Sequence, residues 1–170
     1  MRTLWLRDRA LDLDRVRLLG VLNLTPDSFS DGGRYLDPER ALERAREMVA
    51  EGADILDLGA ESTRPGAAPV PVEEEKRRLL PVLEAVLSLG VPVSVDTRKP
   101  EVAEEALKLG AHLLNDVTGL RDERMVALAA RHGVCEEDVD DLLRDGVLVD
   151  LYTVVRGAIR VSQRSYSIKK

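Results

Sequence analysis

Short apolar runs alternate with amphipathic segments along this chain, and that alternation limits its fold more than any other feature. Four apolar runs, each ending in Asn or Asp, are predicted to be strands, over residues 15–23, 53–57, 91–96 and 111–115. Each is followed by a segment with apolar residues on one helical face and a glycine at its end. Repeated βα units of this kind predict a parallel sheet with right-handed crossovers.

Two α/β architectures satisfy this pattern, a doubly wound sheet and a (β/α)8 barrel. Three features favour the barrel: no G-x-G-x-x-G follows the first strand, the loops after the strands are long and polar, and the strands end in Asn or Asp. In barrels the carboxyl ends of the strands carry the chemistry. The sequence therefore predicts the first half of a TIM barrel, about four βα units.

Composition and charge narrow the class of protein and its partners. Hydrophobic residues make up 44% of the chain and charged residues 33%, as in a soluble globular protein. A net charge of −6 argues against nucleic acid or an anionic membrane as a partner. Cys135 is the single cysteine, so no intrachain disulfide can form, and we expect a cytoplasmic location.

Polar residues at the predicted strand ends are the candidate site. The amide oxygen of Asn23 could ligate Mg²⁺, although Asn23 could equally cap its own turn. Asp96 and Asn115, on neighbouring strand ends, could pair with the N–H donors and acceptors of a flat heterocycle. Asp57 could belong to the site or be a buried acceptor at a strand end, and the structural interpretation is preferred. His112 is interpreted as a packed residue.

The loop after the second strand contains Thr63 and Arg64 within the sequence ESTRPG. A hydroxyl and a guanidinium converging in one loop suit a phosphate or a carboxylate, because Arg presents a planar fork of donors. The alternative interpretation is a solvated surface loop that happens to carry one Arg.

Four motifs resemble the bacterial dihydropteroate synthases, in that family's order and spacing across residues 1–134. They are VLNLTPDSFSDGG (21–33), DLGAESTRPGA (57–67), SVDT (94–97) and LNDVTG (114–119). The resemblance implies a pterin-binding (β/α)8 barrel active in folate biosynthesis. Such an enzyme condenses p-aminobenzoate with 6-hydroxymethyl-7,8-dihydropterin diphosphate and releases pyrophosphate.

The resemblance also implies roles for individual residues. Asn23 would bind Mg²⁺ on the diphosphate, Thr63 would contact the pterin diphosphate, and Arg64 would lie beside the diphosphate and p-aminobenzoate. Asp96 and Asn115 would recognise the pterin ring. Residues 25–33 and 62–71 would form mobile loops that order over the site, the first of which contains Thr25, Pro26, Asp27, Ser28 and Phe29.

Residues 135–170 do not match the family. Its second half supplies a further pterin-binding Asp, a Lys and an Arg-x-His, none of which has a counterpart here. Residues 145–170 weakly resemble a RecB-associated nuclease-like segment without a complete acidic metal cluster. We therefore expect a half-barrel domain over residues 1–134, a non-matching tail over residues 135–170, and little or no turnover by this chain.

Other interpretations stay open. The chain could be a pterin-binding or structural half-barrel, or a chimera without turnover, and an open sheet edge predicts a homodimer or other self-association. A methyltetrahydrofolate–corrinoid methyltransferase shares the barrel and the pterin-binding Asp and Asn. The sequences of the loops over residues 25–29 and 62–66 favour the synthase.

Overall fold

Four parallel strands and four helices form the body of the structure, a computed structural model that describes residues 3–12, 14–15, 17–25, 36–62 and 66–132. The strands lie in the order of the chain, and each pairs in parallel with the next. A two-stranded antiparallel hairpin precedes them. The elements are β1 (Thr3–Leu6), β2 (Arg9–Asp12), β3 (Leu19–Asn23), α1 (Pro38–Ala50), β4 (Ile55–Gly59), α2 (Val72–Leu87), β5 (Val93–Asp96), α3 (Pro100–Leu109), β6 (Leu113–Asn115) and α4 (Glu123–Arg131).

The helices begin and end where local chemistry requires. Asp37 caps α1 by accepting a hydrogen bond from the Glu39 N–H at 3.0 Å, with Pro38 in the first helical turn. Asp122 caps α4 in the same way through the Arg124 N–H. Gly110 ends α3 with φ of 120°, a left-handed conformation that a side chain would strain. The predicted alternation of strands and helices is confirmed.

The two faces of the parallel sheet have different chemistry. Because side chains alternate along a strand, residues paired in register share a face. One face is aliphatic and packs against the helices, so that its residues and those of α2 and α3 form one buried core. The sheet side of this core includes Leu22, Leu56, Leu58, Val93 and Val95. The opposite face carries the polar strand-end residues and corresponds to the interior of a barrel.

The hairpin β1–β2 was not predicted, because its strands are short and its turn is charged. Leu6 is buried against Ile55 and Leu113, which lie at the starts of β4 and β6. Arg7, in the turn, donates to the carbonyl oxygens of Leu107 at 2.8 Å and Ala111 at 3.1 Å. These bonds satisfy acceptors at the carboxyl end of α3. The hairpin therefore covers the amino ends of the strands, opposite the candidate site.

One predicted strand end is wrong. The second strand of the sheet continues past Asp57 to Gly59, so Asp57 lies in the middle of β4. All five residues of β4 are buried, and a strand buried on both faces has no alternation to mark its boundary. The sequence pattern places the strand end at Asp57 because Asp57 is the first polar residue after the apolar run.

Among the described residues, no helix combines the length and the apolar character needed to cross a bilayer.

His112 precedes β6 and is buried, as the sequence predicted. Its Nδ1 accepts a hydrogen bond from the Val93 N–H at 3.2 Å, so the imidazole is neutral in this arrangement. Burial lowers the pKa of His112; the positive charge of Arg9 lowers it further, against an opposing effect of Asp8. Folding therefore favours the neutral ring.

We expect acid to destabilise the fold through His112. The unfolded chain takes up a proton near pH 6.5, whereas the folded chain does so only at lower pH. The stabilisation is complete above about pH 6.5 and is lost as the pH falls from there through the folded pKa. Urea unfolding at pH 7.5 and 5.5 should show a smaller loss for His112→Asn than for the wild type. Equal losses would contradict this assignment.

Candidate functional site

The candidate site is built on a row of four residues across the carboxyl ends of the strands. Asn23, Gly59, Asp96 and Asn115 are paired in register, one from each of β3, β4, β5 and β6. Neighbouring strands lie about 4.8 Å apart, so the row is about 14 Å long. The structure thus places Asn23, Asp96 and Asn115 at the carboxyl ends of their strands and on the same face of the sheet, as the sequence predicted.

A buried hydrogen bond to Asp57 on β4 holds the side chain of Asn115 in place. Its side-chain amide donates to Asp57 Oδ2 at 3.2 Å, and both side chains are buried, with 1% and 2% of their residues' surface exposed. Asp57 lies two residues before Gly59 on the same face. The expectation that Asp57 acts as a buried acceptor is confirmed, although not at a strand end. Its hydrogen bond fixes the plane of the Asn115 amide.

Gly59 leaves a gap in the row between Asn23 and Asp96. A Cβ at this position would lie 3.4 Å from the Asp96 Cβ and 3.5 Å from its Oδ2. The missing side chain gives a ligand close access to the sheet at this point. Gly59 is not among the residues predicted from the sequence, because the strand is predicted to end at Asp57. The signal that could have identified it is a glycine two residues after Asp57, on the same face of the strand.

A cleft of about 160 Å³ opens beside Asp96. Loops that follow three of the strands form its walls, and its lining includes Glu61, Ser62, Asp96, Thr97, Arg98 and Val117. The cleft is smaller than the roughly 300 Å³ at which drug-sized ligand pockets begin. It joins the row of strand-end residues to the loop that contains Thr63 and Arg64.

Glu61 is a residue that sequence reasoning missed. It accepts hydrogen bonds from Lys99 Nζ at 2.6 Å and from the Val70 N–H at 2.7 Å, and it pairs with Arg98 at 2.9 Å. Burial by itself would raise the pKa of the Glu61 carboxyl, but Lys99, the Val70 N–H and Arg98 together hold it below its ordinary value. The carboxylate is therefore ionised and anchors the loop that follows β4.

Several predicted site residues lie outside the described part of the chain. These are Thr63 and Arg64, together with Pro26, Asp27, Ser28 and Phe29. Thr25, which follows β3, is described and partly buried. The roles of these residues and the mobility of their loops stay predictions. The proposed tail also falls outside the described residues, so the boundary at residue 134 is equally untested.

Asn23 is the residue with which a metal ion is predicted to interact. It is exposed at the end of β3, so its amide oxygen is accessible. Between residues 3 and 132, as far as they are described, no three His, Cys, Asp or Glu side chains form a group suited to a metal ion. Mg²⁺ commonly keeps several waters and takes one or two protein ligands plus phosphate oxygens. An accessible single amide fits an ion that shares its coordination with a bound diphosphate.

Comparisons with known proteins show which family the chain resembles over this region. A family model described as "Pterin binding enzyme" matches residues 19–135. Dihydropteroate synthase of Bacillus subtilis is 46% identical over 156 residues, which are 86% of this chain and 54% of that protein. Among solved structures, dihydropteroate synthase from Thermus thermophilus in complex with 6HMPPP is 82% identical with a TM-score of 0.64, covering 78% of this chain and 44% of that one.

A second structure of the Thermus thermophilus enzyme, in complex with 4-aminobenzoate, is 69% identical with a TM-score of 0.66 and covers 98% of this chain and 62% of that one. The chain thus spans about half the length of these relatives. The family model accounts for well over half of the 170 residues, from the start of the first parallel strand to beyond the last described helix. The chain belongs to the pterin-binding enzyme family.

Proposed function

We propose that this chain is the pterin diphosphate-binding part of a dihydropteroate synthase. The observation that carries the proposal is the row of Asn23, Asp96 and Asn115, in register on one face with the gap at Gly59 between them. Relatives named dihydropteroate synthase, one of them solved with 6HMPPP, support the choice of ligand.

Asp96 and Asn115 have the chemistry that a pterin ring requires. A carboxylate accepts hydrogen bonds, whereas an amide both donates and accepts, so the pair can match the mixed donors and acceptors at the edge of the ring. Asn115 is buried and held by Asp57. A ring without matching groups would leave buried polar atoms unpaired, which costs about 1–3 kcal/mol per group. The pair therefore provides selectivity as well as affinity.

The reaction would be a displacement at the methylene carbon of the pterin. The amine nitrogen of p-aminobenzoate forms a bond to that carbon, the carbon–oxygen bond to the diphosphate breaks to release pyrophosphate, and the amine gives up a proton to solvent. Holding the flat ring against Asp96 and Asn115 fixes the methylene for this attack. We propose that Arg64 and Thr63 stabilise the departing negative charge from the loop beyond Glu61.

Mg²⁺ is part of the proposal, with Asn23 as its protein ligand. When bound, the ion would neutralise charge on the diphosphate and make pyrophosphate a better leaving group. Asn23 lies at the end of the row opposite Asn115, so a diphosphate at Asn23 and a ring at Asp96 would span the gap at Gly59.

The described residues account for part of the site only. The resemblance assigns a further Asp, a Lys and an Arg-x-His to the family's second half, and we propose that the residues on β3 to β6 supply the binding of pterin diphosphate. The relatives' names favour the synthase over a corrinoid methyltransferase. We also propose a cytoplasmic location, which rests on the single Cys135.

The glycines Gly59 and Gly20 offer a matched test of the binding site. Gly59→Ala places a methyl over Asp96 at ordinary contact distance, so the fold should persist while affinity for pterin diphosphate falls at least about tenfold, or 1.4 kcal/mol. Gly20→Ala faces the helices instead, with contacts of 3.0 Å to Leu56 and 3.1 Å to Met48. It should lower unfolding stability by about 1 kcal/mol and leave the affinity of the folded protein unchanged.

Isothermal titration calorimetry with pterin diphosphate measures the affinity, and urea unfolding measures the stability. Asp96→Asn serves as a second variant of the binding site. The proposal fails if the wild type does not bind the ligand, or if Gly59→Ala and Asp96→Asn bind as well as the wild type does.

Removal of the metal should separate Asn23 from the ring-binding residues. For the wild type, Mg²⁺ should increase affinity for pterin diphosphate, whereas Asn23→Ala should lose most of that increase and keep the metal-free affinity. Titrations with and without EDTA measure the difference. If Mg²⁺ enhances binding equally in both proteins, Asn23 is not its ligand.

We propose further that the chain self-associates through its sheet. In the described sheet, β3 and β6 each have a paired neighbour on one side only, and unpaired strand edges favour pairing with another chain. Two copies could join these edges around a common interior, as in a closed barrel. Sedimentation velocity should then show a dimer at micromolar concentration. A stable, fully folded monomer over the same range would contradict it.

A further inference from the structure

A buried ionic cluster joins the loops above the sheet. Its centre is Glu75, in the first turns of α2, of which only 1% is exposed. Thr97 Oγ1 donates to Glu75 Oε1 at 2.6 Å, and Lys99 Nζ donates to Glu75 Oε2. Thr97 and Lys99 both lie in the loop between β5 and α3. Both oxygens of a buried carboxylate are therefore bonded to one neighbouring loop.

The same ammonium extends the cluster to a second loop. Lys99 Nζ also donates to Glu61 Oε2 at 2.6 Å, and Glu61 in turn accepts from the Val70 N–H at 2.7 Å. Glu61 and Val70 lie near the two ends of the loop between β4 and α2. Glu61 thus closes this loop at its base by accepting from Val70, and Lys99 ties Glu61 to Glu75.

The cluster also reaches the residues that we assign to the ring. Thr97 directly follows Asp96, and its N–H donates to the Asn115 carbonyl oxygen at 3.0 Å. One hydrogen-bonded unit therefore fixes the ends of β5 and β6 and the base of the loop that follows β4.

Stability alone does not explain why this cluster is ionic. Burying charged groups carries a desolvation cost that their attraction repays only in part, and apolar side chains of similar volume are often at least as stable. What apolar side chains cannot supply is direction, because only hydrogen bonds fix Glu61, Val70 and Thr97 at defined distances. The cluster is therefore suited to hold a geometry.

We propose that Glu75 and Lys99 are positioning residues that hold Glu61 and Val70, near the two ends of the loop after β4, against the ends of β5 and β6. The use of that geometry for a ring bound at Asp96 rests on the proposed function. The positioning itself does not depend on it.

Backbone hydrogen exchange at Val70 tests the positioning directly in the 170-residue chain. In Lys99→Met, Glu61 loses its ammonium anchor and keeps only the half-exposed Arg98 as a charged partner. Its carboxylate is then held less firmly under the Val70 N–H, so the Val70 amide should exchange at least about tenfold faster, the effect of about one charged hydrogen bond. The Val95 amide, in the middle of the sheet, should keep its rate. Lys108→Met is the matched control, because Lys108 forms a half-exposed pair with Glu104 at 3.1 Å on α3; it should change neither rate.

Lys99→Met leaves the buried carboxylate of Glu75 without its cation, which could unfold the protein. A paired variant covers this case. Glu75→Met with Lys99→Met removes both charges and should restore the urea midpoint to near that of the wild type, while Val70 still exchanges fast. Three results would each overturn the proposal. The first is an unchanged exchange rate of the Val70 amide in Lys99→Met. The others concern the paired variant: faster exchange of Val70 and Val95 together, or a return of Val70 to the slow exchange of the wild type.

Titration with pterin diphosphate separates this inference from the proposed function. If the wild type binds, Lys99→Met and the paired variant should bind at least about tenfold more weakly than Lys108→Met; equal affinities would overturn the positioning of the site. If the wild type does not bind, the proposed function fails, and the exchange of Val70 still decides whether the loop is held.

Discussion

The register of the four parallel strands determines the positions of Asn23, Asp96 and Asn115. Because side chains alternate, a shift of one residue in any strand would turn its polar end towards the helices. The aliphatic core against α2 and α3 prevents this, since Leu56, Leu58, Val93 and Val95 would then be exposed to the interior. Apolar packing on one face thus sets the polar row on the other.

The two ends of the sheet differ in chemistry: one packs against the hairpin and the other carries the candidate site. At the amino ends, Leu6 packs on Ile55 and Leu113, and Arg7 donates to carbonyl oxygens in the last turn of α3 and just after it. At the carboxyl ends the same strands carry polar groups and a glycine gap, which contribute little to the core. This division is that of barrel enzymes, in which the loops at the carboxyl ends can vary without loss of the fold.

Much of this arrangement is predictable from the sequence because its signals are local. Caps such as Asp37 and Pro38, glycine stops and aliphatic runs indicate the elements, and motif order indicates the family. The ends of three strands follow from their terminal Asn or Asp, but β4 has no polar alternation, which is why Gly59 and the true position of Asp57 were missed. The links from Glu61 and Glu75 to Lys99 join residues 24 to 38 positions apart, and no local pattern specifies such pairs.

The account depends on Asn115 facing a bound ring and Asn23 facing its diphosphate, and the chain contains no other asparagine. Side-chain amide NMR signals therefore report on both ends of the row with little overlap. In the absence of metal, pterin diphosphate should change the chemical shifts of the Asn115 side-chain amide. The chemical shifts of the Asn23 amide should change once Mg²⁺ is added. Asn115 signals that stay in place at saturating ligand would contradict the account.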